Sequence, residues 1–218
     1  TKTEWIKTIS KWKSKYNPID ESLKQNVSGI NPYKLFNELS DVIGPESNII
    51  LDTGCALAWM MQSFRIQSGQ RLIHDFNNTA MGWALPAALA SGVYDIKKKT
   101  VCITGDGSLM MNIQELATIS YLDLPIIIII INNDGYSMIK QTQDQWLGSD
   151  YLASSKDGGV ALPDFVKVGK AFGIKSFKVS SFKQLESIKE NISKQRKSPL
   201  LIDVDINPFW RVTPQVKF

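Results

Sequence analysis

The chain carries one histidine, His74, and two cysteines, Cys55 and Cys102, among 218 residues. The cysteines sit apart, each in or beside an apolar segment. They lack metal-ligand spacing, build no disulfide framework and read as reduced core residues. A lone histidine reads first as a structural residue, although His74 could line a cleft. No apolar stretch is long enough to span a bilayer and no secretory signal pattern is present. A cytoplasmic protein with no membrane partner is therefore expected. Positive charge is only slightly in excess, with 25 Lys+Arg against 21 Asp+Glu. It is dispersed in clusters such as Lys97-Lys98-Lys99, with no interleaved aromatics, which excludes a nucleic-acid surface. Repeats are lacking too, and the only low-complexity tract is a run of isoleucines.

What is present is ample apolar material. A hydrophobic content of 43% supports one large domain, or one domain plus an extension. Trp5, Ile9, Trp12 and Tyr16 fall at helical spacing, and Thr1 with Glu4 forms a capping pair. An irregular polar stretch, 17–31, follows. Residues 1–30 are expected to be a linker helix and connection from a preceding domain, and 31–218 the domain itself. On this reading the chain is a C-terminal piece of a longer polypeptide.

From residue 31 the periodicity alternates. Helices are expected over 32–43, 81–93, 109–122, 136–143, 163–172 and 182–195, and strands over 48–52, 100–104, 126–131, 174–179 and 200–204. Such alternation predicts an α/β fold, a doubly wound and mostly parallel sheet with helices on both faces and ligands at the strands' carboxyl ends.

The most informative segment is Gly105-Asp106-Gly107-Ser108, at the end of an apolar strand and the start of a helix. Glycines on both sides of Asp106 allow a sharp turn and close approach to a ligand. The following helix offers free N–H groups to an anion. Counted from the Gly-Asp-Gly triplet, 24 positions, 108–131, lead to Asn132-Asn133, delivered by six isoleucines to the same sheet edge. A carboxylate, an amide oxygen and backbone carbonyls are hard ligands suited to Mg²⁺ beside a diphosphate. Alone, the Gly-Asp-Gly triplet would be a common turn. Its place in a strand, turn, helix, strand and Asn-Asn order is far more specific.

That order resembles the signature of thiamine diphosphate enzymes. Met81-Gly82-Trp83-Ala84-Leu85-Pro86-Ala87-Ala88 is similar to a segment of their acetolactate synthase-like members. So are Asn132-Asn133-Asp134-Gly135-Tyr136 with Ile139 and Gln143, and Pro163-Asp164-Phe165 followed by Ala171-Phe172-Gly173. The resemblance implies that Asp106, Asn133 and the Gly135 carbonyl hold Mg²⁺. It implies that Gly54, Cys55, Gly105, Gly107 and Ser108 contact the diphosphate, and that backbone around Thr79 and Met81 contacts the aminopyrimidine. Met81 is then the wedge that bends the cofactor, and Met138 and Ile139 face the thiazolium and substrate, the three residues nearest the chemistry.

The resemblance further implies a decarboxylating carboligase acting on 2-oxo acids such as pyruvate, working as a homodimer or homotetramer. The pyrimidine-binding domain of a partner subunit would supply a glutamate, and FAD, if bound, would sit mostly outside this chain. A simple decarboxylase or oxidase, or a cofactor-binding module without turnover, is the alternative. Two departures stand out. After Asp52-Thr53-Gly54 the family's polar turn is replaced by Cys55-Ala56-Leu57-Ala58, and a family tryptophan near Thr142 is missing, which leaves the acceptor open. Glu115 and Glu186 have nothing to mark them as substitutes for the partner's glutamate.

Overall fold

The computed structural model describes residues 2–194 and 197–214. Helix α1 (Lys2–Lys15) buries none of its residues, and its Trp5 and Trp12 rings meet edge to face at 5.6 Å. The capping role expected of Thr1 lies outside the described residues. The stretch expected to be irregular contains a helix, α2 (Pro18–Leu23). Asn17 caps it by accepting the Ile19 N–H at 2.9 Å, and Pro18 occupies a first-turn position where no N–H is required. Ile19 and Val27 pack on the core, and Gln25 pairs with both the N–H and the carbonyl of Arg211. This segment is therefore tied into the domain that follows it.

Next come α3 (Pro32–Ile43), β1 (Ser47–Leu51), α4 (Cys55–Ser63), β2 (Arg71–Ile73), α5 (Ala84–Tyr94) and β3 (Lys99–Gly105). Then follow α6 (Asp106–Met111), α7 (Glu115–Tyr121), β4 (Ile126–Asn132), α8 (Ser137–Trp146), α9 (Phe165–Ala171), β5 (Lys175–Val179), α10 (Phe182–Ser193) and β6 (Leu200–Asp205). The strands form one sheet in the order β2-β1-β3-β4-β6-β5, every adjacent pair parallel. A parallel sheet covered on both faces needs apolar side chains on both. The isoleucine run meets that need by alternation. Ile127, Ile129 and Ile131 join the core beneath α3, α4 and α10, while Ile126, Ile128 and Ile130 join the core beneath α5, α7 and α9. The expected doubly wound α/β fold is the observed one. At the start of β3, Lys99 Nζ donates to the carbonyls of Ile43, Ile192 and Ser193, closing the C-terminal ends of α3 and α10 together.

Several expectations are corrected. The single helix expected over 109–122 is two helices, broken where the Asn112 amide donates to the Gly82 carbonyl at 2.9 Å. It also begins earlier, at Asp106. The helix expected from Met81 begins at Ala84, because the N–H groups of Gly82 and Ala84 are both taken by Asp52. Helix α8 runs one turn beyond residue 143. Helix α4 and strand β2 were not anticipated at all. The last residue expected in the helix over 182–195, Gln195, lies outside the described residues. Among the described residues, no helix is long and apolar enough to cross a membrane.

Candidate functional site

Strand order reverses between β1 and β3, with β2 on one side and β4 on the other. A crevice at such a switch point is where open α/β sheets bind ligands. A cavity of about 500 Å³ opens there, beyond the carboxyl ends of β1, β3 and β4. All of the inferred site residues line it. Gly54 and Cys55 come from the start of α4, and Thr79 and Met81 from the loop before α5. Gly105, Asp106, Gly107 and Ser108 come from the β3–α6 junction, and Asn133, Gly135, Met138 and Ile139 from the β4–α8 junction.

Asp106 is the hub. It is 2% exposed. One carboxylate oxygen accepts the Gly107 N–H at 2.7 Å; the other accepts those of Asn133 and Gly135, each at 3.0 Å. Burial pushes its carboxyl up to about 6, against the pull of those three bonds and of the Lys140 ammonium. Beside it, Asn133 Oδ1 is buried with no hydrogen-bond partner, as is Ser137 Oγ on the next helix. A buried amide oxygen without a donor is costly unless a ligand satisfies it. An orphaned oxygen next to a buried carboxylate fits a hard divalent cation. Among the described residues, no group of three or more His, Cys, Asp or Glu is placed to hold a metal. A cation held here would draw its other ligands from backbone carbonyls, hydroxyls such as that of Ser137, and the oxygens of a bound ligand.

Gly107 lets the Tyr136 ring pack against the turn. A Cβ there would lie 2.2 Å from the Tyr136 ring, so the turn and the Asn-Asn loop touch directly. Helix α4 opens on the cavity with Gly54 at its N-cap and no side-chain cap, leaving its first N–H groups to an anion. Cys55, Ala56, Leu57 and Ala58 make this wall apolar, and burial pushes the Cys55 thiol up to about 12, so it stays protonated. Met81, Met138 and Ile139 are 39%, 37% and 51% exposed at the mouth. Thr79 holds a left-handed φ of 50° and gives its N–H to the Asp75 carbonyl, so its own carbonyl is the group left for a ligand.

A second buried carboxylate, Asp52, went unrecognised in the sequence. It accepts the N–H groups of Thr53, Gly82 and Ala84 and the hydroxyl of Thr104, at 2.9 to 3.3 Å, and burial raises its carboxyl too. It thereby fixes the segment that carries Met81. The signal was an aspartate directly after an apolar strand, as at Asp106. Met61, Tyr136 and Ser137 also line the cavity and were not foreseen. His74 does not line it: its Nδ1 donates to the Leu51 carbonyl at 2.8 Å and its ring meets Phe76 edge to face. Glu115 and Glu186 lie outside it as well, Glu186 paired with Lys189.

Comparison with known proteins agrees with this geometry. The model of the C-terminal TPP-binding domain of thiamine pyrophosphate enzymes matches residues 52–204. The acetolactate synthase large subunit of Cyanidium caldarium is 35% identical over 199 residues, covering 91% of this chain and 33% of that protein. A probable acetolactate synthase large subunit of Methanococcus aeolicus is 30% identical over 212 residues, covering 94% and 34%. The acetolactate synthase large subunit of Porphyra purpurea is also 30% identical over 212 residues, covering 97% and 35%. The chain thus spans about a third of the length of the curated relatives it matches.

Proposed function

The chain belongs to the thiamine pyrophosphate enzymes, as a C-terminal TPP-binding domain, and from that premise we propose that it anchors thiamine diphosphate through Mg²⁺ in an acetolactate synthase-like carboligase acting on 2-oxo acids such as pyruvate. The observation that carries the reading is the partnerless Asn133 Oδ1 beside the buried Asp106 carboxylate. Asp106, Asn133 Oδ1 and the Gly135 carbonyl hold the cation. The N–H groups at the start of α4 and the N–H and hydroxyl of Ser108 receive the diphosphate, Gly107 giving it room for close approach, and the Thr79 carbonyl receives the pyrimidine end. When bound, thiamine diphosphate supplies a nucleophilic carbon and an electron sink for decarboxylation and transfer of the remaining acyl unit to a second carbonyl.

What the chain's own residues contribute is orientation and dryness. Met81 stands at the mouth on a segment locked by Asp52, where an apolar side chain can impose a bend without adding a hydrogen bond. Met138 and Ile139 exclude water beside it. Asp106 is the only acidic residue lining the cavity among the described residues, and it is committed to the cation. As the resemblance to acetolactate synthase-like enzymes implies, the glutamate that works on the pyrimidine comes from a pyrimidine-binding domain on a partner subunit, in a homodimer or homotetramer. Titration calorimetry tests the anchoring role. Thiamine diphosphate should bind in the presence of Mg²⁺ and lose most of its affinity when the metal is chelated. A nucleoside diphosphate binding equally well under the same conditions would overturn the reading.

A further inference from the structure

The loop joining β4 to α8 is held at successive backbone groups. Asp106 accepts the N–H groups of Asn133 and Gly135, Asn132 Oδ1 accepts that of Asp134 at 3.3 Å, and the Ser154 carbonyl accepts that of Tyr136 at 2.9 Å. The conformation so held is a demanding one. Asp134 has φ of 55° and Gly135 of 125°, both in the left-handed half of backbone space. A Cβ on Gly135 would stand 2.4 Å from the Ser154 carbonyl oxygen, so only glycine fits.

A carbonyl of the same loop is gripped by a charge. Lys140, only 4% exposed on α8, donates from Nζ to the Asp134 carbonyl at 2.9 Å. Its ammonium also lies 3.3 Å from the Cβ position of Gly135. Lysine is seldom buried unless its head group is engaged. Here the engagement completes a clamp: the Asp134–Gly135 peptide has its N–H on Asp106 and its C=O on Lys140. Once Asp106 is shared with a cation, its grip on that N–H weakens and Lys140 still holds the other end of this peptide. The next peptide, which carries the Gly135 carbonyl, is fixed at its N–H by Ser154, so the two bonds together set the carbonyl's direction. Coulomb repulsion between the ammonium and a divalent cation works the other way, so the two roles differ in the sign of their effect on metal affinity.

We infer that Lys140 is a positioning residue for the cation, holding the Asp134–Gly135 peptide so that the Gly135 carbonyl stays available to a metal shared with Asp106 and Asn133. This deepens the proposed function and rests on that reading of the ligand set. Lys140→Met keeps the aliphatic stem and removes the donors. With Mn²⁺ as the probe, in excess thiamine diphosphate, free metal is read by electron paramagnetic resonance on the full chain. The variant should bind Mn²⁺ about tenfold more weakly or worse, the usual cost of losing a residue behind a metal ligand, while high Mn²⁺ restores binding of thiamine diphosphate. If Lys140→Met does not fold, Lys140→Gln, one bond shorter and uncharged, takes the same threshold. An unchanged or tighter Kd for Mn²⁺ in the folded variant, whatever its melting temperature, overturns the inference. Asp106→Asn separates the two levels. If it too leaves Mn²⁺ binding intact, the ligand set is wrong; if it abolishes binding while the Lys140 variant does not, only the role of Lys140 is.

Discussion

Asp52 and Asp106 are the same device built twice. Each follows directly on a strand, β1 and β3, and these strands are neighbours in the sheet. Each accepts the N–H of the next residue and two more from a loop two residues apart in register, Gly82 and Ala84 for Asp52, Asn133 and Gly135 for Asp106. Burial raises both carboxyls. The difference lies in what surrounds them. Asp52 is fully buried, and Thr104 supplies a fourth donor. Asp106 faces a cavity, beside an amide oxygen that no donor reaches. A buried aspartate wrapped in backbone N–H groups is thus a way of locking loops to a sheet edge. The unmet acceptor next to it is what marks a binding site.

The matched pair Asp106→Asn and Asp52→Asn puts the strongest pressure on this contrast. Asn keeps the shape but replaces one acceptor oxygen by a donor. At Asp106 an anionic ligand of a hard cation disappears, so Mg²⁺-dependent affinity for thiamine diphosphate should fall about 100-fold or more. Melting temperature should fall as well, because an NH₂ group then faces at least one of the three N–H donors, so affinity and not stability is what separates the two sites. At Asp52 the same change leaves buried donors facing an NH₂ group and should cost about 2 kcal/mol of stability or more, with affinity of the folded protein retained. Calorimetric melting and cofactor titration on both variants decide it. If the two mutants behave alike, the distinction between lock and site is lost.

How much of this was legible beforehand follows the same line. The isoleucine run announces a strand buried on both faces, and Asp106 and Asn133 are readable because glycine, aspartate and asparagine stand in turns at the carboxyl ends of apolar strands. Helix α4 is not readable: it starts from a glycine without a side-chain cap and continues as Cys-Ala-Leu-Ala, a pattern without polar rhythm. The break at Asn112 depends on a bond to Gly82, which is remote in sequence. Lys140 reads as an ordinary surface lysine, because only the folded loop shows that its head group has a carbonyl to hold. Contacts that depend on tertiary approach leave no local trace.

Met81 carries the contrast to the segment that Asp52 locks. The alternative to a wedge is a methionine filling a core gap. With 39% of its surface exposed at the cavity mouth, Met81 fills little. In the complete enzyme, Met81→Ala should lower kcat about tenfold, equivalent to about 1.4 kcal/mol. Its stability cost should stay below about 1 kcal/mol, well short of a core truncation. A melting temperature several degrees lower with normal turnover would return Met81 to the core.

The smallest effect is the most diagnostic of the two carboxylates. Asp106 has its carboxyl raised from 3.8 to about 6 in the folded protein. A raised acid favours the folded state while protonated, so its contribution is full below pH 3.8 and is lost as pH rises through about 6. Between pH 5 and 7 the metal-free protein should lose about 1.3 kcal/mol from this group alone. Asp52 pushes in the same direction, so the informative quantity is the difference between parent and Asp106→Asn, measured by denaturant unfolding at each pH. Metal then reverses the sign for one aspartate only. Mg²⁺ needs the ionised form of Asp106, so cofactor affinity should climb as pH rises toward 6 and flatten above it, whereas Asp52→Asn leaves that climb untouched. A metal-free stability difference that is flat from pH 5 to 7, or a cofactor affinity indifferent to pH in that range, would show that Asp106 is not the carboxylate that the cation must find ionised.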